Sequence, residues 1–101
     1  MAYEIVMGLD VIDDQEYQKY REAMTPILKS FGGSFGFDFI VSKVLLSNTA
    51  DNINRVFTIA FPNQKQMDEF FSNPDYLVVK AKYFDKSVKS KTTILQHESS
   101  L

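Results

Sequence analysis

Cysteine and tryptophan are absent from the 101-residue chain. Without cysteine there is no disulfide, no thiolate metal site and no nucleophilic thiol, which fits a reducing compartment. Histidine occurs once, at His97, with no second imidazole or thiolate to share a metal, so neither a metal nor an organic cofactor is expected. Long hydrophobic runs are missing too: nothing approaches the roughly 20 apolar residues of a membrane span. The opening Met-Ala-Tyr-Glu carries no basic segment followed by an apolar one, so no secretory signal is expected and a cytoplasmic protein is. An excess of positive charge is also lacking. The formal net charge is −2, against the basic face that nucleic acid requires. The aromatic run Phe35-Gly36-Phe37-Asp38-Phe39 superficially resembles an RNA-recognition segment, but it carries an acid and follows the first helix directly.

What is present suits one domain over residues 1–101, burying about 60–70% of its unfolded surface. From Asn54 to Pro62 the chain is apolar or small on both alternating faces. Phe57, Ile59 and Phe61 lie on one; Val56, Thr58 and Ala60 lie on the other. Such a strand belongs in the middle of a sheet covered on both sides. Tyr3 to Val11 alternates likewise, with Tyr3, Ile5, Met7, Leu9 and Val11 on its apolar face.

Asp13 or Asp14 can cap a helix whose stripe is Tyr17, Tyr20, Met24, Ile27, Leu28 and Phe31. Pro26 removes one backbone donor inside it, and Gly32-Gly33 ends it. Ser34 to Ser47 reads as a long strand with Phe35, Phe37, Phe39 and Val41 on one face and a bulge near Ser42-Lys43. Ser47 to Asn54 is a polar loop. Asn63 can cap a helix over Gln64–Ser72 with Met67, Phe70 and Phe71 buried. Pro74 opens a second helical piece, with Tyr76, Val79 and Tyr83 on one side and Leu77, Ala81 and Phe84 on another. Asp85 to Ser90 reads as a turn or loop, Lys91 to His97 as an edge strand, and Glu98 to Leu101 as tail. The run Lys80, Lys82, Lys86, Lys89 and Lys91 reads as a solvated helix face and a lysine-guarded edge.

The order strand, helix, strand, strand, helix, strand predicts an α+β, ferredoxin-like βαββαβ domain. It has a four-stranded antiparallel sheet, helices on one face, and the first and third strands central. Two helices cannot cover the second sheet face. A second copy of the chain laid sheet to sheet would, burying on the order of 1,600 Å² or more.

Several stretches resemble a known family: Tyr-Glu-Ile-Val at Tyr3–Val6, Phe31-Gly32-Gly33, Arg55-Val56, Ile59-Ala60-Phe61-Pro62 and Phe70-Phe71-Ser72-Asn73-Pro74-Asp75-Tyr76. They are similar to the small dimeric α/β-barrel proteins called domain of unknown function 1330, relatives of antibiotic-biosynthesis monooxygenases. The resemblance spans roughly Tyr3 to Leu95 and implies a ferredoxin-like protomer in a homodimeric barrel, with no assigned activity. Ala60 stands where many members carry an acid, Tyr83 where an arginine is common, and Asp38-Phe39-Ile40 where a basic Gly-Gly segment lies. Superfamily relatives that oxidise small aromatics without a cofactor do so in a cavity between helices and sheet.

Two functions follow. One is a homodimer that binds or transforms a small, largely apolar or aromatic molecule in a cleft without metal or cofactor. The pocket candidates are Tyr20, Phe37, Phe39, Thr58, Tyr76 and His97. The catalytic candidates are His97, the natural acid–base group, and Arg55, which can also serve as the ion-pair partner of Asp38 or Asp10. The alternative is a non-enzymatic structural or regulatory homodimer.

Overall fold

Four strands in the order β2-β3-β1-β4 form one antiparallel sheet in the computed structural model, which describes residues 2–99. They are β1 Ala2–Val11, β2 Ser34–Ile40, β3 Arg55–Phe61 and β4 Val88–Ser99. Helix α1 spans Asp14–Ser30 and α2 spans Gln64–Ser72. Then α3 Pro74–Val79, a π-helical turn Lys80–Phe84 and the short α4 Asp85–Ser87 follow one another without a break. The ferredoxin-like expectation is met, with β1 and β3 central. The Cα atoms fill 32 × 32 × 18 Å, a slab as thin as one sheet and one helical layer.

Local chemistry sets the boundaries. The Asp13 side chain accepts the Glu16 N–H at 3.1 Å and caps α1. Gly32, at φ 75°, ends it: the Gly33 N–H reaches the Leu28 carbonyl at 3.0 Å, and the Gly32 N–H reaches that of Lys29 at 2.9 Å. Asn63 and Asn73 cap α2 and α3 in the same way as Asp13. One core lies between the layers. Ile5, Leu9, Phe57, Ile59 and Phe61 of the sheet meet Tyr17, Tyr20, Met24 and Leu28 of α1, Met67 and Phe70 of α2, and Tyr76 of α3.

Five expectations need correction. The second strand stops at Ile40 instead of continuing to Ser47. Ile40 faces Arg55, the first residue of β3, and beyond the Val41 N–H to Asn54 carbonyl bond there is no neighbouring strand to hydrogen-bond. The bulge lies at Gly36-Phe37, both opposite Thr58, and not at Ser42-Lys43. Its cause is a side chain: Thr58 Oγ1 accepts the Phe37 N–H at 2.8 Å, in space left by the missing Cβ of Gly36. The extra residue inverts the alternation. Phe35 packs on Phe57 beneath the helices, whereas Phe37 and Phe39 stack on each other on the open face, 62% and 55% exposed.

Near the C-terminus, Asp85–Ser90 is not a loop. It continues the helix through Ser87 and enters β4 at Val88. The Ile12 N–H bonds to the buried Ser87's carbonyl at 2.8 Å, which fastens this junction to the end of β1. β4 runs on through Glu98 to Ser99, where a tail was expected; Ser100 and Leu101 lie outside the described residues. The π turn adds a residue to its winding, so Phe84 joins Tyr76, Val79 and Tyr83 against the core.

Candidate functional site

Between the sheet and α1, the π turn and α3 lies a cleft of about 50 Å³. Met7, Leu9, Phe57 and Ile59 form its floor, and Tyr17, Tyr20 and Met24 of α1 form one wall. Tyr76, Lys80 and Phe84 form the other, while Phe71 and Lys91 bring it to the surface. Helical spacing places Tyr17, Tyr20 and Met24 on one side of α1, and strand alternation turns Met7 and Leu9 up to meet them.

Besides Lys80 and Lys91 at the rim, two polar features interrupt this apolar lining. The Tyr20 and Tyr76 hydroxyls lie 2.8 Å apart, buried together. Burial pushes both phenols above their ordinary range, Tyr20 the more strongly, so both stay protonated at neutral pH. Arg21 is the second. Its guanidinium lies 3.8 Å from the Phe35 ring centroid, Nε donates to the Tyr17 hydroxyl at 2.9 Å, and Nη2 donates to Asp38 at 2.7 Å. Asp38 also receives Nε and Nη2 of Arg55, each at 2.8 Å. Hydrogen bonding from Arg55, supported by the Arg21 charge, holds the Asp38 carboxyl below the usual carboxylate range. One carboxylate thus joins α1, β2 and β3.

The six pocket candidates do not share this cleft. Tyr20 and Tyr76 line it. Phe37, Phe39 and Thr58 occupy the opposite sheet face, carried there by the bulge and the pairing of β2 with β3. His97 lies on that open face as well, opposite Glu4, with Nε2 3.0 Å from the Glu4 carboxylate. The catalytic candidates are therefore separated: Arg55, beside Tyr17, is on the helix side of the sheet and His97 is on the other.

Sequence reasoning missed Arg21, Lys80 and Lys91 as lining residues. Arg21 carried one signal, its position four residues after Tyr17, which it bonds. Among the described residues no three His, Asp or Glu side chains gather to hold a metal ion, and no described helix is long and apolar enough to cross a membrane.

Comparison with known proteins bears on family and fold. No curated protein matches the chain. A protein of unknown function from Rhodopseudomonas palustris superposes with a TM-score of 0.79 at 14% identity, covering 97% of this chain and 82% of that one. A dabb family protein with a ferredoxin-like fold from Mesorhizobium loti gives 0.70 at 11% identity, covering 97% and 96%. A dimeric ferredoxin-like protein of unknown function from Thermobifida fusca gives 0.62 at 10%, covering 98% and 92%. The model of the domain of unknown function DUF1330 matches residues 1–96, nearly the whole chain, and the protein belongs to that family.

Proposed function

We propose that the chain acts as a homodimer, open sheet face to open sheet face. Each protomer binds or transforms a small, largely apolar or aromatic molecule in its cleft, without metal or organic cofactor. The observation that carries the ligand reading is the cleft itself: an apolar pocket lined by Tyr20 and Tyr76, whose buried, protonated hydroxyls bond to each other. The π turn supports it, since such turns recur at functional sites and this one supplies Lys80 and Phe84 to the wall. At about 50 Å³ the cleft is smaller than the ~150 Å³ of an apolar cavity that takes benzene, so an aromatic ring enters only as that wall gives. The dimer reading draws on the exposed Phe37–Phe39 stack at one edge of the sheet's open face and on the half-exposed Leu95 at the other. The Thermobifida fusca neighbour, described as dimeric, supports it as well.

Thermal shift against a panel of one- and two-ring planar aromatics tests the ligand reading. Members of the panel raise the melting temperature of the native chain, and Tyr20→Leu abolishes the rise. A panel with no effect overturns the reading in favour of a non-enzymatic structural or regulatory homodimer, which the small cleft volume favours. Light scattering tests assembly: a two-chain particle at micromolar concentration is expected, and a single-chain mass refutes the dimer.

A further inference from the structure

The charged groups lining the cleft are all of one sign. Arg21, Lys80 and Lys91 border it, and no aspartate or glutamate does, in a chain whose net charge is −2. The acids nearest these cations cancel them only in part, and Lys91 and one guanidinium remain in excess. Asp38 is divided between Arg21 and Arg55, one carboxylate for two guanidiniums. Asp85 holds Lys80 at 3.0 Å. Lys91 pairs with Leu9 across the β1–β4 ladder, so its side chain leaves the sheet on the cleft side, and it has no acidic partner among the described residues. The hydroxyl pair adds a donor. Whichever of Tyr20 and Tyr76 donates to the other, the second hydroxyl keeps a free proton. A neutral apolar guest would leave this surplus positive charge and the free O–H unanswered, whereas a carboxylate answers both.

We infer that the ligand class of the cleft is a small aromatic or apolar carboxylate. Its ring lies against Met24, Phe57 and Phe84, and its anionic end against Lys91, Arg21 and the tyrosine hydroxyls. This rests on the cleft reading above and adds the charge of the occupant. The Lys91 end of the cleft is then an entrance that favours anions.

Benzoate and its neutral isostere benzamide test the inference by titration calorimetry on the full chain at pH 7 and fixed ionic strength. The native protein binds benzoate at least tenfold more tightly than benzamide, a difference of about 1.4 kcal/mol. Lys91→Gln weakens benzoate binding far more than benzamide binding and so removes most of that preference, and Lys91→Arg restores it. Lys91 is exposed, so neither change threatens the fold. Equal affinity for the two compounds overturns the inference while the cleft reading stands. A benzoate preference that survives Lys91→Gln also overturns it, because the charge recognition then lies elsewhere. If neither compound binds and the neutral panel has no effect either, the cleft reading falls and takes this inference with it.

Discussion

The two faces of the sheet are made from the same four strands and have opposite physics. On the helix side, Ile5, Leu9, Ile59 and Phe61 are at most 3% exposed and lie beneath interlocked rings from three helices. On the other, Phe37 and Phe39 stack in the open and His97 pairs with Glu4. Phenylalanine occurs on both, so residue type does not separate the faces; what covers each side chain does. A buried ring reports on folding, and in the proposed dimer an uncovered ring reports on association.

That contrast is easiest to break at Phe70, which is fully buried. Phe70→Ala should cost about 3–5 kcal/mol in urea unfolding of the protomer. Phe37→Ser should cost the isolated protomer less than about 0.5 kcal/mol while shifting the light-scattering mass toward one chain. Similar losses from the two substitutions in dilute protein would erase the distinction between the faces.

Next in size is Asp38→Asn, which leaves two partly buried guanidiniums without their carboxylate and should cost about 1.5–3 kcal/mol at pH 7. The pH dependence has a definite sign. Because the native carboxyl titrates below its unfolded value, the stabilisation is complete above about pH 4 and is lost as pH falls through the native value. Melting curves of the native and Asp38→Asn proteins should therefore converge in acid; a constant gap down to pH 2 would contradict the pairing.

Gly36→Ala sharpens the comparison at the point where β2 changes faces. A Cβ there would lie 2.6 Å from Thr58 Oγ1, so about 1–2 kcal/mol should be lost. Thr58→Ala should recover part of it in a double-mutant cycle, and strict additivity would show that the two positions do not meet. The smallest effect is expected from Tyr20→Phe, about 0.5–1.5 kcal/mol for one buried hydrogen bond. Burial raises the phenols of Tyr17, Tyr20 and Tyr76, so native stability should decline as pH rises past about 10. Phenolate absorbance in the native state should lag behind that of the urea-unfolded chain; coincident curves would place these hydroxyls in water.

Topology was legible in the sequence because several local signals agreed. Alternation marked β1 and β3, the Tyr17–Leu28 stripe marked α1, and Asp13, Asn63 and Gly32 sit where capping chemistry requires them. The bulge was hidden because Phe35-Gly36-Phe37-Asp38-Phe39 alternates without a flaw, and the interruption comes from Thr58 on another strand, 21 residues away from Phe37. That inversion is why Phe37 and Phe39 were assigned to a pocket they do not line; Thr58 was assigned there against the alternation of β3, which sets it on the face opposite Phe57 and Ile59. Tyr20 and Tyr76 were found because burial and hydroxyl chemistry coincide in one residue type. Arg21 was not, since a cation at the margin of an apolar stripe looks the same whether it meets solvent or a phenylalanine ring. Lys80 could not be placed without the π turn, which no spacing in Lys80–Phe84 announces.

The half-step at Gly36 and Phe37 has an evolutionary corollary. Upstream of it, odd-numbered positions of β2 obey the rules of an interior; downstream, odd-numbered positions obey the rules of a boundary. A library randomising Ser34–Ile40 and screened for folding of the protomer should accept polar residues at Phe37 and reject them at Phe35. Deleting Gly36 would restore a regular ladder, with Phe37 alone opposite Thr58, and leave every face as it is, whereas deleting a residue outside the bulge would swap the faces on one side of the gap; selection should therefore treat these seven residues as two short inherited units with separate tolerances.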